Sequence, residues 1–486
     1  MGIQIVQKRG VATEKNIKGT HLLCVLSDAT SKTFPFVKEL DRKLKRTHKK
    51  MASLAKEPVT IEIQDGRLLS FVILDQKMNT FQRHTLIRKA LKPLITENPE
   101  TLYIAVFGNE DLKEINARTS VYVALMNSQR LPSYKKESTK KNIKSIELFG
   151  IELKDKFAHE IAIVTGNTLT RELTMLPPND LNPSIYRTKI KSLAKANGWK
   201  LEEFDMVKLK KMGAGAFVAV GQGSEPQDAA IVHLTYKPKK VMKNIAVIGK
   251  GICFDTGGHN LKPARYMYGM HEDMNGSAVS LGILLSASLL KLPTKIDCWL
   301  AIAQNHIGPK AYKQNDVVKS LNGTSIEIIH TDAEGRMVLA DTLTLASRLK
   351  PDMMMDFATL TGSMATALGD RYSGVISNRP ELSCLAVGAG SEAGERIAAF
   401  PFDEDYEEDL ESGIADIKQC TLEGGADHIH AARFLSRFIE NNVPWLHIDL
   451  SSSNRKGGLG AAMSDVNGFG VHFGLTLLQK YLEKKS

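Results

Sequence analysis

No apolar run in this chain of 486 residues reaches the roughly 18 that a membrane span needs. The opening stretch MGIQIVQKRGVATEK lacks the apolar segment of a signal peptide, so the expectation is a cytoplasmic protein with no membrane partner. The five cysteines, Cys24, Cys253, Cys298, Cys384 and Cys420, are odd in number, far apart and never spaced CxxC. That excludes a disulfide framework and fits a reducing compartment. HExxH is missing as well: His271 and Glu272 begin it, but position 275 is Asn. A dinucleotide fingerprint is incomplete in MGAGAFVAVGQGS (212–224), because Val218 stands where glycine is required. What is present is an ordinary globular composition, 43% hydrophobic and 24% charged, with enough aliphatic side chains to bury a large core.

The length exceeds what one hydrophobic core supports, which predicts at least two domains. The net charge of +10 is concentrated early: residues 1–150 hold about 27 Lys and Arg against about 15 Asp and Glu, leaving the remainder near neutral. The densest runs, DRKLKRTHKK (41–50) and KKESTKKNIK (135–144), read as solvated faces, with nucleic acid as the alternative partner. Short β-like runs alternate with helical ones up to a Lys-rich segment at 133–145, predicting an α/β domain over 1–160. A long helix over 157–174 follows. A second series then has strands at AFVAV, AIVHLTY, NIAVIGKG, KIDCWLAI, SIEIIH, DMMMDFATL and PWLHIDL, predicting a larger α/β domain over 161–486 whose mixed central sheet is flanked by helices.

Chemistry gathers in that second series. NIAVIGKGICFDTGG runs a buried-strand pattern into Lys250 and Asp255, then into Gly257 and Gly258. Ligand sites of α/β sheets lie beyond the carboxyl ends of strands. SIEIIHTDAEGRMVLADTL repeats the arrangement, with Asp332, Glu334 and Arg336 spaced two apart. In an extended stretch these three would share one face. Asp273, ahead of a helix beginning near Ser277, and Lys262, in LKP, are unremarkable singly as a cap and a solvated lysine. Jointly they weigh more. Four converging carboxylates would repel and raise one another's pKa values, whereas a pair of divalent cations would neutralise them. Two such ions suit the hydrolysis of an amide or ester.

Taken together, VIGKGICFDTGG, LKP, EDMNGSA, HTDAEGRMVLADTL and ATLTGSM resemble the leucyl (cytosol) aminopeptidase family, with weaker likeness in MLPPNDLNPS and WLHIDL. The resemblance implies a small α/β domain, assembly-related or regulatory, ahead of a catalytic one. It further implies a homohexamer and removal of single residues from peptides with a free amino terminus. Asp255 and Glu334 would bridge two ions, Asp332 would complete one site, and Lys250 with Asp273 the other. Lys262 would polarise the scissile carbonyl, and Arg336 would hold a bicarbonate ion. Zinc or manganese is the expected metal, with cobalt and magnesium as alternatives. The first side chain of the substrate would sit among Met270, Thr359, Gly362, Ser451 and Asn454, where the last two are more polar than the family's usual lining. That predicts a broader or more polar specificity.

Departures from the family pattern are Asn275 for glycine, His330 for asparagine, QNDV (314–317) for PGDV, and Cys253 for threonine. None is an implied ligand. His428 and His430 read as a surface or interface pair on different faces of a helix, and Cys253 as a small buried residue near Asp255. Two other functions remain open: another two-metal hydrolase such as a phosphoesterase, and a non-catalytic nucleic-acid-binding protein using the basic amino-terminal domain.

Overall fold

A computed structural model describes residues 2–17, 19–30, 33–136 and 143–483. Most of the second basic run therefore lies outside the described residues. The chain forms two compact units, one comprising 1–164 with 391–394 and 455–467, the other 165–390, 395–454 and 468–486. The division falls inside the helix Ala158–Thr174. The first unit is discontinuous because a later segment is sewn to its helices. Asn127 Nδ2 donates to Ala461 O at 2.8 Å, Met463 N to Asn127 Oδ1 at 2.7 Å, and Arg88 to Gly457 O at 2.8 Å. No sequence pattern announces that return.

The first unit holds a six-stranded sheet in the order Gln4–Lys8, Ser145–Phe149, Thr101–Phe107, Leu22–Leu26, Leu68–Ile73, Val59–Glu62. Only the last strand is antiparallel, as the partner of a hairpin whose turn is QDGR (64–67). The helices Thr80–Thr96 and Glu110–Ser128 start at Asn79 and Asn109, whose side chains accept the backbone N–H of Gln82 and Leu112. Such caps satisfy a donor that the first helical turn leaves open.

The second unit is built on an eight-stranded mixed sheet, ordered Ile397–Ala399, Ser373–Ser377, Trp445–Asp449, Met353–Ala358, Lys243–Asp255, Thr294–Asn305, Ala230–Tyr236, Lys200–Asp205. Its four central strands run parallel, so the ends at Asp449, Ala358, Asp255 and Asn305 point the same way. The alternation of Lys243–Asp255 assigns its faces. A Cβ at Gly249 would lie 2.4 Å from Ser277 Cα, so the helix Asn275–Leu289 crosses the odd-numbered face. Ala246, Ile248 and Ile252, on the other face, share a core with Met337, Val338 and Ala340 of the helix Glu334–Ser347. Both helices are buried over nearly their full length, which is why the strand between them is apolar on both faces.

Three expectations change. AFVAV is not a strand but part of the helix Gly215–Gly221. Five apolar residues between glycines satisfy either period, and packing of the helix against Glu334–Ser347 decided it. SIEIIH supplies only Ser325–Glu327, in a separate three-stranded sheet with Val317–Lys319 and Ile417–Lys418. His428 and His430 lie on one helix, Asp427–Ser436, but both are buried rather than at the surface. Among the described residues no helix is long and apolar enough to cross a membrane.

Candidate metal centre

At the carboxyl ends of the central strands, three buried carboxylates converge. Asp255, Asp273 and Glu334 each place an oxygen within 4.8 Å of the other two. They arrive from different elements: Asp255 from its strand end, Asp273 from the 3-10 turn Met270–Met274, and Glu334 from the first position of its helix. Glycine permits this closeness. A Cβ at Gly276 would stand 2.0 Å from Phe357 O, and one at Gly335 would stand 2.6 Å from Lys250 Cε. At Gly276 the obstacle is backbone, so only a residue without a side chain lets that helix sit so near the sheet, while at Gly335 it leaves room for the end of the Lys250 side chain.

Two lysines lie among the acids. Lys250 Nζ is 2.8 Å from Asp273 and 2.9 Å from Glu334, and donates to Thr359 O at 2.9 Å. Lys262 Nζ is 3.0 Å from Asp255 and also contacts Asp332, which joins the group through this lysine. Burial alone would lower the pKa of both lysines, but the surrounding carboxylates outweigh it and raise them. Burial acts the other way on the acids, aided by their mutual repulsion. Asp273 is pushed up to about 6, and Asp332 and Glu334 to about 7. With every group ionised, four carboxylates against two ammonium groups leave a charge of −2. Glu334 Oε2 is buried without a hydrogen-bond partner among the described residues. Excess negative charge and an orphaned carboxylate oxygen in one cluster fit a divalent cation.

Asp332, Glu334 and Arg336 do not share the extended face read from their spacing, because Glu334 already begins the helix. Arg336 instead reaches Asp427 through Nη2, at 2.7 and 2.9 Å, and Gln419 O through Nη1, while its Nε has no partner among the described residues. Burial would lower the pKa of this guanidinium, and Asp427 raises it.

These groups line a cavity of about 620 Å³, which also includes Met270, Thr359, Gly362 and Ser451. Asn454 is not part of that wall. Its amide points to Glu272, donating to both carboxylate oxygens at 2.8 Å. The Ser451 hydroxyl donates to Tyr372 O at 2.6 Å. Cys253 is buried, and burial raises its thiol pKa well above the ordinary value.

Sequence reasoning missed several participants. Asn305 Nδ2 donates to Asp255 Oδ1 at 2.8 Å and to Thr331 O at 3.0 Å. Thr359 Oγ1, placed by sequence only in the pocket, donates to Asp273 at 2.6 Å. Asp427 went unnoticed beside the more conspicuous His428. A polar residue closing an apolar strand was the available signal for Asn305, as it was for Asp255.

The model of the cytosol aminopeptidase family's catalytic domain matches residues 168–474. A protein of Stutzerimonas stutzeri named "Probable cytosol aminopeptidase" is 44% identical over 296 residues, covering 60% of this chain and 59% of its own length. One of the same name from Prochlorococcus marinus strain MIT 9312 is 36% identical over 432 residues, covering 84% and 87%. The match to the Stutzerimonas protein and to two from Pseudomonas fluorescens spans about three fifths of those relatives' length. Among solved structures, the bottromycin maturation enzyme BotP in complex with Mn is similar with a TM-score of 0.84 and 26% identity, covering 96% of this chain and all of that one. A mutant of tomato leucine aminopeptidase shares the fold with a TM-score of 0.85 at 23% identity, covering 98% and 96%.

Proposed function

The chain belongs to the cytosol aminopeptidase family, and we propose that it is a metal-dependent aminopeptidase releasing single amino-terminal residues from peptides. The observation that carries this reading is the excess of buried carboxylate at the strand ends, opening into a cavity large enough for the end of a peptide. Two divalent ions would be held by Lys250, Asp255, Asp273, Asp332 and Glu334. Zinc or manganese is proposed, cobalt and magnesium being the alternatives that an oxygen-rich set with one amine also accepts. Bound there, they would supply the polarisation of the scissile carbonyl and the activation of water.

The chain's own residues do the rest. Lys250 must lose its proton to act as a ligand, which from a reference near 10.4 costs about 4 to 5 kcal/mol at neutral pH. Lys262, held charged by Asp255 and Asp332, would donate from Nζ to the carbonyl oxygen of the bond being cut. Arg336, held by Asp427 with its Nε unspent, would retain a bicarbonate ion beside the cluster. Met270, Thr359, Gly362 and Ser451 would receive the first side chain. With the Ser451 hydroxyl committed to Tyr372 and Asn454 outside the wall, the proposed specificity is broad rather than polar. A strong preference for leucine across a substrate panel would overturn that part. A homohexamer in the cytoplasm, with the first unit serving assembly, completes the proposal. Among the described residues no histidine joins the carboxylate cluster, which disfavours a phosphoesterase.

The test is release of p-nitroaniline from aminoacyl-p-nitroanilides by protein reconstituted with zinc or manganese, set against Glu334→Ala. Metal-dependent release that the substitution removes is expected. No metal-dependent release from any aminoacyl substrate would sink the proposal.

A further inference from the structure

We infer that Asn305 is a positioning residue for the centre, aiming the Asp255 carboxylate and fastening the segment that carries Asp332 to the same strand end. The inference rests on the proposed reading of Asp255 and Asp332 as metal ligands.

The strands Lys243–Asp255 and Thr294–Asn305 pair residue for residue from Lys243 opposite Thr294 to Ile252 opposite Ala303. Continued without change, that register would set Asn305 opposite Phe254. It shifts instead, and Asn305 faces Asp255, so one extra residue is taken up on the strand that carries the carboxylate. Bulges of this kind re-aim a side chain at the end of a ladder. Here the result is a carboxylate and an amide side by side.

The amide is 1% exposed, and both of its N–H bonds are used, on Asp255 Oδ1 at 2.8 Å and Thr331 O at 3.0 Å. Both partners are acceptors, so the opposite orientation of the amide would set oxygen against oxygen. Asp255 Oδ1 receives a second donor, Gly257 N, at 2.9 Å. Its two in-plane lone pairs are thereby spent. Oδ2 is left as the oxygen offered to the cluster, where it meets Lys262 at 3.0 Å. The main-chain oxygen of Asn305 accepts from Thr256 N at 2.9 Å and Thr256 Oγ1 at 2.8 Å, gripping the residue that follows Asp255. Thr331, the other residue held, directly precedes Asp332. One side chain thus holds both the Asp255 carboxylate and the residue before Asp332, adding to the direct ties from Thr331 Oγ1 to Gly257 O at 2.6 Å and from Thr331 N to Asn260 Oδ1 at 2.8 Å, a task that filling the same volume with hydrocarbon does not perform.

The test is calorimetric titration of the full-length, metal-free protein with Mn²⁺, comparing wild type with Asn305→Leu and Asn305→Ala. It is accompanied by thermal melts of each metal-free form and by leucyl-p-nitroanilide hydrolysis over a range of Mn²⁺ concentrations. Removing a partner that orients a metal ligand typically weakens metal binding about 10- to 100-fold. Both variants should show that loss, with much of kcat restored at high Mn²⁺. A merely structural role predicts a lowered melting temperature and unchanged Mn²⁺ affinity in the folded fraction, and that result overturns the inference. Should Asn305→Leu fail to fold, the smaller Asn305→Ala carries the comparison. If the wild type itself binds no Mn²⁺, the ligand reading fails, and the inference falls with it for a distinguishable reason.

Discussion

Both units end parallel strands in buried polar groups, but they close those ends in opposite ways. In the first unit a single cation gives its hydrogen bonds to neutral oxygens, with the Asp75 carboxylate nearby: Arg83 donates to Asp75 O, Met78 O and Asn116 Oδ1, while Ser27 Oγ donates to Phe107 O. In the second unit four carboxylates share two lysines, and Glu334 Oε2 is left without a partner among the described residues. A buried polar group that is fully satisfied serves the fold, and one that is under-satisfied is a place for something else to bind. The location in an α/β sheet is the same. What separates the two ends is the balance of charge.

Substitution on each side sharpens that contrast. Glu334→Ala should lower kcat/KM on aminoacyl-p-nitroanilides by roughly a thousandfold or more, since metal catalysis supplies several kcal/mol of transition-state stabilisation. The metal-free protein should meanwhile melt no lower, because a buried acid pushed up to about 7 by burial and like charges has been removed. The counterpart, Arg83→Met, should do the reverse. Three acceptors lose their donor, which costs stability by about 3 kcal/mol in urea unfolding, while activity per folded molecule is retained. Equal losses of activity from both substitutions would erase the distinction between a closed and an open strand end.

The open end was legible in sequence because charges ending an apolar strand are conspicuous. Lys250 and Asp255 interrupt a strand that is otherwise apolar on both faces, and Asp332 and Glu334 repeat the theme after SIEIIH. The order of the larger sheet was not legible. It depends on which apolar runs are strands, and GAFVAVG fits a helix as well as a strand until its neighbours are known. Asn305 escaped because an uncharged residue at a strand end is common, and because a bulge leaves no trace in composition. The direction of Asn454 was equally hidden: spacing places a residue near a pocket, and only its partner, Glu272, decides whether its amide enters.

The units should also differ in how their stability responds to pH. Burial lowers the pKa of His84, in the first unit, from 6.5 to about 4. Unfolded chains take up a proton below 6.5 that the folded one refuses, so stability is present above that pH and lost as pH falls towards 4, by up to about 3 kcal/mol. Glu395, in the second unit, is pushed up by burial to about 7, against the pull of N–H donors from Gly470 and Phe473. The folded chain keeps this proton where the unfolded one has released it, so its contribution is present below about 4.5 and lost as pH rises through 7. His84→Leu should flatten the acid-side decline in urea midpoint, and Glu395→Gln the decline towards neutrality. If both substitutions flatten the same side, one of the two burial arguments is wrong.

The smallest expected effect lies within the second unit, in the wall of its cavity. Ser451 lines it with a hydroxyl already spent on Tyr372 O, so it contributes space more than polarity. Ser451→Leu would fill that space, and a mismatch of a few methylene groups in a side-chain pocket is worth about 1 to 3 kcal/mol in discrimination. Leucyl and phenylalanyl p-nitroanilides should therefore lose about tenfold in kcat/KM relative to alanyl p-nitroanilide, with the Mn²⁺ requirement unchanged because no cluster residue is touched. An unaltered substrate ranking would place the first side chain elsewhere in the cavity. The open strand end would then be separated from the wall that has been assigned to serve it.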